Sequence, residues 1–144
     1  MKPAQRISNW PRALDAYVEA CRHRPFTWGR HDCLLFAAGA VKAIAGADPA
    51  KGKRGKYRSE AGAQKLIHAN GGWHKLITAC ARGVGMKPVK TALAQRGDVV
   101  TARLGIDKRS AAGVCLGAEA AFPGEQGLEF HPLAACHRNA WRVE

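Results

Sequence analysis

The stretch DCLLFAAGAVKAIAG, Asp32 to Gly46, constrains the fold more than any other part of the chain. Leu34, Leu35, Ala37, Ala38, Val41 and Ile44 fall at helical spacing and leave little polar surface on any side. A helix that is apolar nearly all round must be covered nearly all round. The spacing therefore predicts a central buried helix with the remaining elements packed about it. Asp32 suits the N-cap, where a short side-chain acceptor meets free backbone N–H groups, and Gly46 suits the stop.

The covering layers can be read on both sides of this segment. Asn9 is placed to cap a first helix with Pro11 in its opening turn; Leu14, Tyr17, Val18 and Cys21 share a face, and Pro25 ends it. Ser59 with Glu60 opens a third helix carrying Leu66 and Ile67, closed by Gly71-Gly72. Trp73 to Arg82 reads as a fourth, with Leu76, Ile77 and Cys80 on one face. After Gly85 the pattern changes to short strands: Val99 to Ala102, Ala112 to Leu116, Ala118 to Phe122, Leu128 to Leu133 and Ala140 to Val143. Helices first and then strands joined by tight turns predict an α+β fold. Its helices, including the central one starting at Cys33, pack on an antiparallel sheet of about five strands. With no internal repeat, residues 1–144 read as one domain.

Composition narrows the classes. At 144 residues and 47% apolar content, the chain can bury a real core and is not disordered by composition. It has no apolar run of membrane-spanning length. The stretch MKPAQRISNWPRALDAY lacks the apolar middle of a signal peptide, which predicts a protein made in the cytoplasm and kept there or packed into a particle such as a virion. The five cysteines, at 21, 33, 80, 115 and 136, are odd in number and widely spaced, so free thiols are expected rather than a disulfide framework. The net charge of +12 favours polyanions, an anionic envelope or acidic protein surfaces. The densest basic run, KGKRGKYR, supplies Lys51, Lys53, Arg54, Lys56 and Arg58 as candidate polyanion contacts. Only Tyr57 interleaves with those charges, so the run reads as a solvated loop rather than a stacking platform for bases.

Cys33 is the residue with a chemical reading. With Asp32 as cap, it stands at the first helical position, where free backbone N–H groups and the helix dipole favour a thiolate. Arg30 and His31 precede it, Gly29 lets the backbone turn, and Trp28 can wall a groove. This arrangement would lower the thiol pKa, as a nucleophile needs; the other reading of the same residues is a small apolar side chain that opens a buried helix.

Several motifs, in order, carry a resemblance. Trp28-Gly29 is followed by Asp32-Cys33 and a helix, then by Arg96-Gly97-Asp98-Val99-Val100 and Gly113-Val114-Cys115-Leu116-Gly117. From about Phe26 to Leu133 the chain resembles the NlpC-type cell-wall peptidases, a papain-like cysteine peptidase superfamily. Within it the chain looks most like a small branch found among bacteriophage tail genes, which share endings such as Gly127-Leu128 and Ala140-Trp141-Arg142. The resemblance implies a papain-like fold, Cys33 as nucleophile, Trp28 beside the active groove and peptidoglycan stem peptides as substrate. It also implies a histidine base two residues before Gly113. That position is Ala111, and the third polar residue of the family falls near Phe122 or Pro123. A cysteine–histidine pair needs a base within about 2.6–3.2 Å of the sulfur. His31, two residues before Cys33, and His131, in EFHPL, are the candidate substitutes.

No cofactor or metal is expected. The mixed pairs His31 with Cys33, Cys21 with His23, His74 with Cys80, and Cys136-His137 lack the tighter spacing of zinc sites. Ala81-Arg82-Gly83-Val84-Gly85 is a helix end rather than a phosphate cradle, and no helix-turn-helix or zinc finger is visible. Three functions follow as expectations. The first is a virion tail component, at the tail tip or baseplate, on a degenerate peptidase scaffold and in contact with other tail proteins. The second is an active peptidase or amidase that cuts peptidoglycan during DNA entry. The third is a basic nucleic-acid binder.

Overall fold

The structure, a computed structural model, describes residues 2–144. The chain order is four helices and then six strands: α1 Trp10–Cys21, α2 Cys33–Ala45, α3 Glu60–Ala69, α4 Trp73–Gly83, β1 Lys87–Lys90, β2 Val99–Leu104, β3 Arg109–Cys115, β4 Glu119–Gly124, β5 Gly127–Pro132 and β6 Asn139–Arg142. The strands form one antiparallel sheet in the order β1-β6-β2-β3-β4-β5. The fold is α+β, and no helix among the described residues is long and apolar enough to cross a membrane.

α2 is the central helix. Eight of its residues are buried, and Leu34, Ala37 and Val41 pack with Ala112 and Val99 of the sheet and with Leu76, Ile77 and Cys80 of α4. Phe36, Ala40 and Ile44 pack with Leu14, Val18 and Cys21 of α1 and with Val114 and Ala121. The opposite sheet face has its own cluster, Val100, Ala102, Cys115, Ala120, Phe122 and Ala140, closed by Leu133 and Cys136. The caps of α2 and α3 match the sequence: Asp32 accepts from Leu35 N–H, Gly46 stops α2 at φ 74°, and Ser59 accepts from Gly62 N–H.

Two expectations are corrected. The sheet has six strands, one more than residue alternation predicts. The extra one, β1, is a mostly exposed KPVK edge strand. It is recruited by backbone pairing with β6 (Val89 opposite Ala140) and has no apolar alternation to reveal it. Asn9 makes no side-chain cap, although Pro11 does stand in the first turn. α1 ends at Cys21, as Pro25 requires: Pro25 has no N–H to offer the Cys21 carbonyl four residues back, which accepts from Arg24 N–H (3.1 Å) instead.

The motif Arg96-Gly97-Asp98 supplies a buried charge. Asp98 is fully buried at the start of β2 and meets Arg6 Nη2 at 3.1 Å and Arg142 Nη2 at 2.9 Å. It also accepts from Gln95 N–H at 2.9 Å. Arg6 donates further to the Val143 and Arg96 carbonyls (2.8 and 2.9 Å) and stacks on Trp10. One carboxylate thus ties the segment before α1 to β2 and β6.

Candidate functional site

The site begins in the loop before α2. Thr27 and His31 exchange backbone hydrogen bonds at 3.0 and 2.8 Å, which curls the chain back on itself. Gly29 sits at φ 79°, and a Cβ there would lie 2.3 Å from the Tyr57 carbonyl oxygen, so the turn requires glycine. Trp28 packs edge-on against Phe26 with ring centres 4.7 Å apart. Asp32, 1% exposed, is the hub. Its carboxylate accepts from Leu35 N–H (3.0 Å), Gly29 N–H (2.9 Å) and the Tyr57 hydroxyl (2.5 Å).

Cys33 follows at the first position of α2, partly buried, in a groove of about 480 Å³. Phe26 and Trp28 form one wall. The β2–β3 and β4–β5 hairpins form the other, with Asp107, Arg109, Glu125 and Glu129 as its charged residues. Arg109 pairs with Asp107 (2.5 Å) and with Glu60. These hairpin carboxylates were not legible in the sequence, where each stands beside turn glycines with no motif around it.

The thiol departs from expectation. Burial, reinforced by the Asp32 carboxylate, pushes Cys33 up to about 12, and the backbone N–H groups of Ala112, Leu34 and Cys33 offset this only in part. The helix-start amides are present, but desolvation outweighs them. Arg30 and His31 do not help, because both line a different hollow. Burial also raises the thiols of Cys21, Cys80, Cys115 and Cys136 and the phenols of Tyr17 and Tyr57. For such groups the folded state holds its protons more tightly than the unfolded chain, whose thiols titrate near about 8.5. Their stabilisation is complete below that pH and is lost as pH rises toward the folded values. Thermal melts in reducing buffer should therefore fall steadily from pH 8.5 upward, and Cys33→Ala should flatten the slope; parallel slopes would contradict this.

Neither candidate histidine accompanies the sulfur. His31 is 2% exposed, lies edge-on to Phe36 (5.8 Å) and belongs to the hollow between α1 and α2. His131 stands on β5 opposite Ala120, packs edge-on to Phe122 (5.6 Å) and meets Glu129 Oε1 at 3.3 Å. Among the described residues no histidine lines the groove. The position implied by the resemblance, Ala111, does line it, yet the residue of β3 packed on α2 is Ala112. Shifting the register by one residue therefore replaces one alanine with another. Phe122 is buried on the far sheet face, and Pro123 lines the groove with a side chain that has no polar atom.

The basic run is anchored rather than free. Tyr57 is buried against Asp32, so it offers no stacking face, and Arg54 Nε meets Asp48 Oδ2 at 2.5 Å. Lys51, Lys56 and Arg58 are exposed and Lys53 is half-buried; none of the four is in an ion pair among the described residues. Among the described residues no three His, Cys, Asp or Glu side chains converge as metal ligands.

These features define an α+β domain with a cysteine at the start of its central helix, set in an open groove beside an antiparallel sheet. The chain belongs to the family described as Domain of unknown function (DUF6950), whose model matches residues 5–143. No curated protein matches the chain at a significant level.

Proposed function

We propose that the protein is a non-catalytic derivative of a papain-like, NlpC-type peptidase scaffold that serves as a structural component of a phage tail. The observation that carries the loss of turnover is the groove itself: Cys33 opens into it, but no histidine lines it among the described residues, and the thiol is raised rather than lowered. A nucleophilic cysteine needs the reverse on both counts. Descent from a peptidase scaffold is supported by the order of parts, a cysteine-initiated buried helix followed by an antiparallel sheet whose β3 lies against it. The tail assignment rests on the ordered motifs and on their resemblance to the tail-associated branch.

With its pKa raised, the Cys33 thiol stays protonated at pH 7. Alkylation by iodoacetamide, followed on the Cys33 peptide by mass spectrometry, should rise about tenfold per pH unit through pH 10 without a plateau. Purified sacculi should release no muropeptides. A plateau below pH 7, or cleavage abolished by Cys33→Ala, would replace this reading with that of an active cell-wall peptidase. Immunogold labelling of tails from a lysate that makes the protein tests the assembly role; unlabelled tails would remove it.

A further inference from the structure

A second hollow, of about 540 Å³, opens between α1 and α2, and among the described residues none lines both it and the Cys33 groove. Its floor is Tyr17 laid across Gly39. The Tyr17 hydroxyl donates to the Phe36 carbonyl at 2.8 Å, and a Cβ on Gly39 would come within 2.2 Å of that oxygen. Arg24, Arg30, Lys42 and Arg54 stand around it. The carboxylates nearby are already engaged. Asp48 takes Arg54 and also faces Lys42, while Asp32 is occupied by Gly29, Leu35 and Tyr57. Arg24, Arg30 and Lys42 are in no ion pair among the described residues.

The inner wall adds an independent sign. His31 lines the hollow at 2% exposure, and its enclosed Nε2 has no hydrogen-bond partner among the described residues. A buried polar nitrogen left unpaired is costly, and native structures normally supply a partner. A carboxylate has two oxygens in one plane and carries a single negative charge. A tetrahedral phosphoryl group has oxygens pointing in several directions and can engage two guanidinium groups, an ammonium and an imidazole N–H together. We propose that this hollow is a binding site for a phosphoryl group, held by Arg24, Arg30 and Lys42 against the His31 ring of its inner wall. Burial and the neighbouring Arg24 hold His31 below its usual range, against the pull of Asp32. A bound phosphoryl group brings negative charge to that ring and raises its pKa.

The test is calorimetric titration with inorganic phosphate and, separately, with a short DNA duplex, at ionic strength held constant with sodium chloride. Saturable phosphate binding is expected, weakened at least ~10-fold in Arg30→Gln/Lys42→Gln and unchanged in Lys51→Gln/Lys56→Gln. The ¹⁵N resonance of His31 Nε2 should move on saturation, a readout that diffuse attraction does not produce. If the duplex binds, loses affinity in the same double variant and is displaced by phosphate, the natural source is a nucleic-acid backbone; phosphate binding without duplex binding points to a small phosphomonoester. The proposal is overturned if phosphate does not bind, if both double variants weaken it equally, if the duplex binds without phosphate competition, or if the His31 resonance stays still.

Discussion

Asp98→Ala is expected to cost about 3–5 kcal/mol of folding stability, a large share of what a domain of this size has. The carboxylate is fully buried, while the side chains of Arg6 and Arg142 are only 12% and 24% exposed. Removing it leaves two guanidinium groups facing each other with their countercharge gone, and it orphans Gln95 N–H as well. The midpoint of thermal unfolding should drop by roughly 10–20 °C. Arg142→Met should cost less, because Asp98 keeps Arg6. Urea denaturation followed by tryptophan fluorescence measures both. A loss in Asp98→Ala with none in Arg142→Met would mean that Asp98 acts only as an acceptor for its own turn and not as the clamp between β2, β6 and the segment before α1.

Asp32→Ala should be the next most damaging change, at about 2–3 kcal/mol. It removes the N-cap of α2, worth ~1 kcal/mol, and strands two further donors, Gly29 N–H and the buried Tyr57 hydroxyl, at ~1–2 kcal/mol together. Tyr57→Phe tests one arm alone and should cost ~1 kcal/mol. Asp32→Asn gives a second readout: it keeps an acceptor for Leu35 but removes the negative charge that helps to raise Cys33. Alkylation of Cys33 should therefore quicken in Asp32→Asn even as the fold weakens. A variant that is less stable but alkylated at the old rate would show that burial alone governs the thiol.

Local chemistry made α2 readable: its cap, its stop and its apolar run all lie within Asp32 to Gly46, and the structure reproduces them. The helix count and the change to strands after Gly85 were readable for the same reason. What escaped was long-range. Asp98 finds Arg6 across 92 positions and Arg142 across 44, and nothing in the motif around Asp98 marks either partner. Tyr57, in a run that reads as solvated, is claimed by Asp32 25 positions away. The Cys33 environment failed at a different level. The helix start was correctly placed, but whether a thiol there is activated or suppressed depends on how deeply β3 covers it, and depth is a tertiary quantity. His31 illustrates this too: two positions from Cys33 in sequence, it turns to the opposite side of the helix start.

β6, the strand farthest along the chain, lies between β1 and β2 in the sheet. During synthesis, the ladder edges of β1 and β2 have no neighbour until residue 142 has left the ribosome, and the Ala140 side of the far cluster stays open to water. The nascent domain thus spends its longest interval with two unpaired strand edges on display, and such edges recruit other chains. Yield on overexpression should be governed by how quickly that gap is filled.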